Sequence, residues 1–132
     1  MLKSLCLSFS LILVSSLAHA TKRCQVYIPE KEFNHYGYVI RFDFGDFLSK
    51  RSMMEVPTEQ EADFLILIEG VERAERYFHY ADGVIRVQDK SGAVMEVRES
   101  LRCLTQLCGI RDYGKAFQKA YLKLDKTYPK CQ

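Results

Sequence analysis

Neither sign of charge dominates this chain. Its 132 residues carry 19 Lys and Arg against 17 Asp and Glu, a formal net charge of +2 at pH 7. A chain without a basic excess has nothing to track a phosphate backbone, which argues against a dedicated nucleic-acid binder. The sequence also lacks internal repeats, low-complexity tracts and any Pro/Gly/Ser linker that would divide it. It contains no Gly-x-Ser-x-Gly, no phosphate-binding Gly-rich loop, no His-Glu-x-x-His and no EF-hand loop. Ser52, Ser91 and Ser100 have no adjacent base that would make a nucleophile.

What stands at the start is a leader. MLKSLCLSFSLILVSSLAHA has one early cation, Lys3, an apolar stretch from Leu5 to Leu17, and the small-x-small ending Ala18-His19-Ala20. That pattern predicts a secretory signal peptide over 1–20, cleaved near Ala20. Serines interrupt the apolar stretch, and it falls short of the ~20 residues a membrane span needs. No cysteine sits where a lipoprotein would carry it. Later in the chain the longest apolar run is Phe64 to Ile68, which suits a buried strand rather than a span. The expectation is a single domain over 21–132, with no transmembrane segment, exported to the periplasm or beyond the cell.

Of five cysteines, Cys6 lies in the leader; Cys24, Cys103, Cys108 and Cys131 remain. An even number in an exported chain points to disulfides. We expect Cys103–Cys108 across a short turn and Cys24–Cys131 tying the ends. The loop-entropy model assigns about 2 kcal/mol to the short closure and about 4–5 kcal/mol to the long one. A thioredoxin-like redox centre needs Cys-x-x-Cys, and the spacing here is Cys-x-x-x-x-Cys. A zinc site would need a second close pair or two well-spaced histidines. No metal or other cofactor is expected.

The remaining pattern reads as strands followed by a helix. Cys24–Ile28 is a first strand ended by Pro29, and 30–37 reads as a loop. Tyr38–Phe44 alternates with period two. Residues 47–56 read as a short helix. The run Phe64–Ile68 is apolar on both faces, as in a central strand covered on both sides. Tyr77–Gln88 is a strand with a bulge or bend at Asp82-Gly83. Asp89-Lys90-Ser91-Gly92 is a hairpin turn, and Ala93–Arg98 returns from it. Asp112 is the expected N-cap of a helix whose stripe is Phe117, Ala120, Tyr121, Leu124 and Tyr128. Lys115, Lys119, Lys123 and Lys126 lie off that stripe, and Pro129 ends the helix. The class is α+β: an antiparallel sheet of about four to five strands, a C-terminal amphipathic helix on one face, and disulfide staples.

Residues 62–128 resemble small domains of bacterial cell-envelope accessory proteins, including the N-terminal domain of the TolB type. The resemblance rests on Ala62-Asp63-Phe64 leading into a core strand, on Asp89 and Gly92 between two strands, and on the closing helix. The chain departs from it in carrying no lipobox and two expected disulfides. The resemblance implies an envelope-associated binding role.

Three features could carry function. Tyr77, Phe78 and Tyr80 are nearly contiguous, and Tyr36 and Tyr38 add further rings. They suit a two-sided core strand; exposed, they would suit a protein or glycan ligand, since Tyr and Arg favour recognition surfaces. His35 and His79 could be the acid and base of a small secreted hydrolase or toxin-like enzyme, although exposed loop and strand histidines would look the same. Glu30/Glu32, Asp43/Asp46 and Glu59/Glu61 are carboxylate pairs of the kind a glycosidase uses, in segments where solvated charge is ordinary. The reading taken forward is a non-catalytic binding module of the cell envelope, acting by protein contact through Tyr77, Phe78 and Tyr80. Inhibition of an envelope-active enzyme is one form such contact could take.

Overall fold

The computed structural model describes residues 24–128. The expected leader and cleavage site, Pro129 and Cys131 lie outside the described residues. The chain runs β1 (Cys24–Tyr27), β2 (Glu32–His35), β3 (Tyr38–Arg41), α1 (Gly45–Lys50), β4 (Met53–Glu55), a 3-10 turn (Glu59–Glu61), β5 (Phe64–Glu75), β6 (Phe78–Asp89), β7 (Val94–Arg102) and α2 (Ile110–Thr127). The fold is α+β. Five strands form one sheet in the order β4-β1-β5-β6-β7, and β2 and β3 form a separate hairpin.

The meander β5–β6–β7 is antiparallel, as expected, and supplies most of the pairing. β1 pairs parallel to both β4 and β5, so the whole sheet is mixed. Asp63 joins the two halves: its carboxylate accepts the Gln25 amide at 3.0 Å, and its own amide donates to the Gln25 carbonyl at 2.7 Å.

α2 covers one face of β6 and β7. Gly83 is the reason it can lie so close. A Cβ at that position would come within 2.7 Å of the Phe117 amide nitrogen. No bulge or bend interrupts the strand there; β6 runs unbroken from Phe78 to Asp89. The expected bulge or bend is therefore corrected to a close approach of two backbones. Gly70 plays the same part on β5, where the Phe33 ring of the β2–β3 hairpin lies over it. On the covered face, Ile66, Ile85, Val87, Val97, Ala120 and Leu124 pack with Phe44, Phe47 and Val26. A second cluster gathers Ala81, Tyr113, Phe117 and the Cys103–Cys108 pair.

The other face has no helix on it among the described residues. Leu65 and Leu67 are only half-buried there, so β5 is central in the sheet but not covered on both sides. Instead the face carries a charged lattice. Asp82 is fully buried beneath it. Its carboxylate accepts from Ser100 Oγ at 2.6 Å, Arg98 Nη1 at 3.1 Å and Arg73 Nε at 3.2 Å. Arg86 bridges Glu69 and Glu96 at 2.7 and 2.8 Å.

Further boundaries differ from expectation for local reasons. Residues expected as loop form β2, because the Tyr36-Gly37 turn has positive φ at both positions, 49° and 83°. That is the pair a tight two-residue hairpin needs. The helix expected over 47–56 is α1 followed by β4, with Ser52 at φ 56° between them. Asp112 is not the N-cap of α2. Gly109 is, and the Asp112 carboxylate reaches back to its amide at 2.8 Å.

Candidate functional site

Three turns meet at one end of the molecule: the β2–β3 turn, the β5–β6 turn and the segment between β7 and α2. The last is closed by the Cys103–Cys108 disulfide, with Cα atoms 5.3 Å apart. Both cysteines are buried, so residues 104–107 are thrown outward. Leu104 is 95% exposed and Leu107 64%. Each neighbouring turn presents a tyrosine at its tip, Tyr36 at 81% and Tyr77 at 94% exposure. Tyr38 and Phe78 complete the surface. Arg76, beside Tyr77, has φ 56°. With Tyr36 it is a non-glycine residue held in the left-handed region, at a cost of about 1 kcal/mol each. Strain of this kind concentrates at functional surfaces.

The disulfide loop divides the surface into two grooves. A larger one of about 660 Å³ lies against the β2–β3 hairpin, lined by His35, Tyr36, Tyr38, Leu104, Leu107 and Ile110 among others. A smaller one of about 230 Å³ lies against the β5–β6 turn, lined by Tyr77, Phe78, His79, Arg102, Leu104 and Gln106 among others. Arg102 stacks over Phe78 at 4.5 Å from the ring centre. Arg76, Arg102 and Arg111 form no ion pair among the described residues. The acids nearby are engaged: Glu72 takes the Cys108 amide, Glu75 takes Arg73, and Asp112 takes the Gly109 amide.

Beneath the loop, the backbone of Cys108 links the two histidines. The Cys108 carbonyl accepts from His35 Nε2 at 2.9 Å, so that nitrogen carries the proton. The Cys108 amide donates to Glu72 Oε1 at 3.0 Å, and the same oxygen lies 3.8 Å from His79 Nδ1. That Nδ1 is buried without a hydrogen-bond partner. His79 also sits across from Cys103, whose amide donates to the His79 carbonyl at 2.8 Å. The fold thus brings both histidines to the same end, but His35 opens on one groove and His79 on the other. Tyr113 lies against His35, ring centres 4.7 Å apart. Burial, with the charges of Glu72 and Asp82 adding to it, pushes its phenol up to about 12. It is therefore a neutral packing group at ordinary pH.

The sequence-derived binding residues separate in space. Tyr77 and Phe78 stand at the turn. Tyr80 shares the Phe78 face of β6 but is half-buried, with Arg73 stacked over it at 4.6 Å. The carboxylate pairs are solvated: Glu30, Glu32, Asp43, Asp46, Glu59 and Glu61 are all exposed. Glu32 pairs with Arg41, and Asp43 accepts the Gly45 amide. Cys24 is disulfide-bonded, while its expected partner Cys131 lies outside the described residues. Among the described residues no three His, Cys, Asp or Glu side chains gather as metal ligands, and no helix is long and apolar enough to cross a membrane.

Sequence reasoning missed Leu104 and Leu107. Two leucines in a loop between paired cysteines, with nothing apolar next to them to pack on, were the available signal. Set against known proteins, the chain matches no family model and no curated protein sequence.

Proposed function

We propose that this chain is an exported, non-catalytic binding module of the cell envelope that acts by protein contact through the surface around its disulfide loop. One observation carries the reading. Six large apolar side chains from three separate segments — Tyr36, Tyr38, Tyr77, Phe78, Leu104 and Leu107 — are exposed together. A soluble domain rarely leaves such a patch uncovered without a use for it. Aromatic rings bordered by unpaired arginines are the composition favoured at the centres of protein interfaces. The disulfide holds the loop that carries two of them, so little ordering entropy is lost on binding.

The hydrolase reading with His35 and His79 is weaker on this geometry. An acid and a base must reach one substrate, and these histidines open on different grooves, with His35 Nε2 already committed to a carbonyl.

A photo-crosslinking residue at position 77 or 104, introduced in the native cell, tests the reading. The expected result is one reproducible partner, lost in Leu104→Ser and Tyr77→Ala, and not captured from position 122 on the exposed side of α2. Equal capture from position 122, or capture unaffected by both substitutions, would reject this surface.

A further inference from the structure

β7 ends the sheet, and among the described residues nothing pairs with its outer edge. It is nine residues long and contains neither proline nor glycine. Which of its backbone groups face outward follows from the ladder. Just outside one end, Asp89 N–H donates to the Ala93 carbonyl; just outside the other, Cys103 N–H donates to the His79 carbonyl. In an antiparallel pair, alternate residues exchange both bonds with their partner. The odd-numbered positions of β7 therefore bond inward to β6. Val94, Glu96, Arg98, Ser100 and Arg102 direct their amides and carbonyls outward. A long edge without proline or bulge is a template for an added strand.

The charge beside that edge says what kind of strand. Lys123 of α2 reaches Glu99 on β7 at 3.4 Å, so this side of the helix is turned toward the edge strand. Lys119 precedes it by one turn, exposed and without an ion pair among the described residues, while Lys115, a further turn back, lies nearly opposite the buried stripe of α2. Glu96 and Glu99 are already engaged, by Arg86 and Arg98 and by Lys123. A second copy of this chain fits poorly. Two such edges paired about a two-fold axis would set their helices about 10 Å apart, two strand spacings, with lysines facing one another.

We infer that the β7 edge takes up an extended acidic segment of a partner protein by strand addition, its carboxylates lying beside Lys119 and Lys123. This surface meets the disulfide-loop surface only at Arg102, and the inference stands without that surface.

The probe is a ten-residue peptide alternating Glu and Val, compared with its Lys–Val counterpart, on the full exported chain. Titration calorimetry measures affinity and amide exchange reports the site. The Glu peptide is expected to bind, to protect the amides of residues 94, 96, 98, 100 and 102, and to weaken with salt. Glu96→Pro removes an amide that β6 does not use, and Lys119→Glu reverses an exposed charge that makes no ion pair among the described residues. Each is expected to lower affinity at least about tenfold, the outward amide and the two lysines being what the peptide engages. Lys119→Glu keeps the test valid should the proline variant fold poorly. Equal binding of the Lys peptide, no binding of either at low salt, or protection elsewhere would overturn the inference. So would concentration-dependent self-association through β7 without peptide.

Discussion

At Gly83 helix and sheet meet backbone to backbone. A methyl group there has no flexible side chain to push aside; it meets Phe117 N, Ala116 C and Phe117 Cα within 2.9 Å. Gly83→Ala should therefore lift α2 from β6 and cost about 1–3 kcal/mol, the range for overpacked cores, measured as a shift in urea midpoint. One residue earlier, Asp82 faces the opposite way. Burial raises its pKa, but hydrogen bonds from Ser100, Arg73 and Arg98 more than offset this, so its carboxyl titrates below the usual range. A depressed folded pKa contributes stability above the unfolded value near 4, and that stability is lost as pH falls through the folded value. Asp82→Asn should cost about 1–3 kcal/mol at neutral pH, because it leaves two arginines without their shared partner. The gap between variant and parent should close as pH falls below about 4. A gap that stays constant across that window would show the carboxylate's charge to be irrelevant.

At the scale of elements, the disulfide loop is held by more than its sulfurs. The Cys108 amide is held by Glu72 and its carbonyl by His35, and the Gly109 amide is held by Asp112. Replacing Cys103 and Cys108 together by Ser should lower stability by about 2 kcal/mol, the entropy of a short closure. Partner binding should fall further than that loss explains, because Leu104 and Leu107 would no longer be pre-positioned. Equal binding by this variant and the parent, both folded, would show the staple to be purely structural. The pairing itself was legible in the sequence, as were β6, β7, their hairpin and α2, since each is fixed by local periodicity or turn chemistry. β2 was not, because its four residues Glu-Phe-Asn-His look polar and only Phe33 finds the core. The parallel pairing of β1 was not either, because nothing local in Cys-Gln-Val-Tyr specifies partners near residues 53 and 64. For the same reason Tyr36 and Tyr77 could be named as residues but not as neighbours, and Leu104 was not named.

The whole molecule separates its supports from its exposed surface. Away from the disulfide loop, Arg51 is buried and ties α1 to the end of α2. It donates to the Phe47 carbonyl at 3.1 Å, the Asp125 carboxylate at 2.9 Å and the Asp125 carbonyl, and its guanidinium lies 4.0 Å over the Phe47 ring. At the loop end, Tyr77 and Leu104 project into solvent and support nothing beneath them. The two kinds of residue should therefore fail in opposite assays. Arg51→Met leaves carbonyls at the α1–α2 junction without their donor and should cost about 2 kcal/mol of stability, while partner binding by the folded fraction is unchanged. Tyr77→Ala and Leu104→Ser should each shift stability by less than about 0.5 kcal/mol, as exposed substitutions do, and should weaken the partner complex at least about tenfold, as truncated interface anchors do. Chemical denaturation and binding measured on the same preparations decide the matter. If stability and binding fall in step across all three variants, the disulfide-loop surface contributes to the fold rather than to recognition.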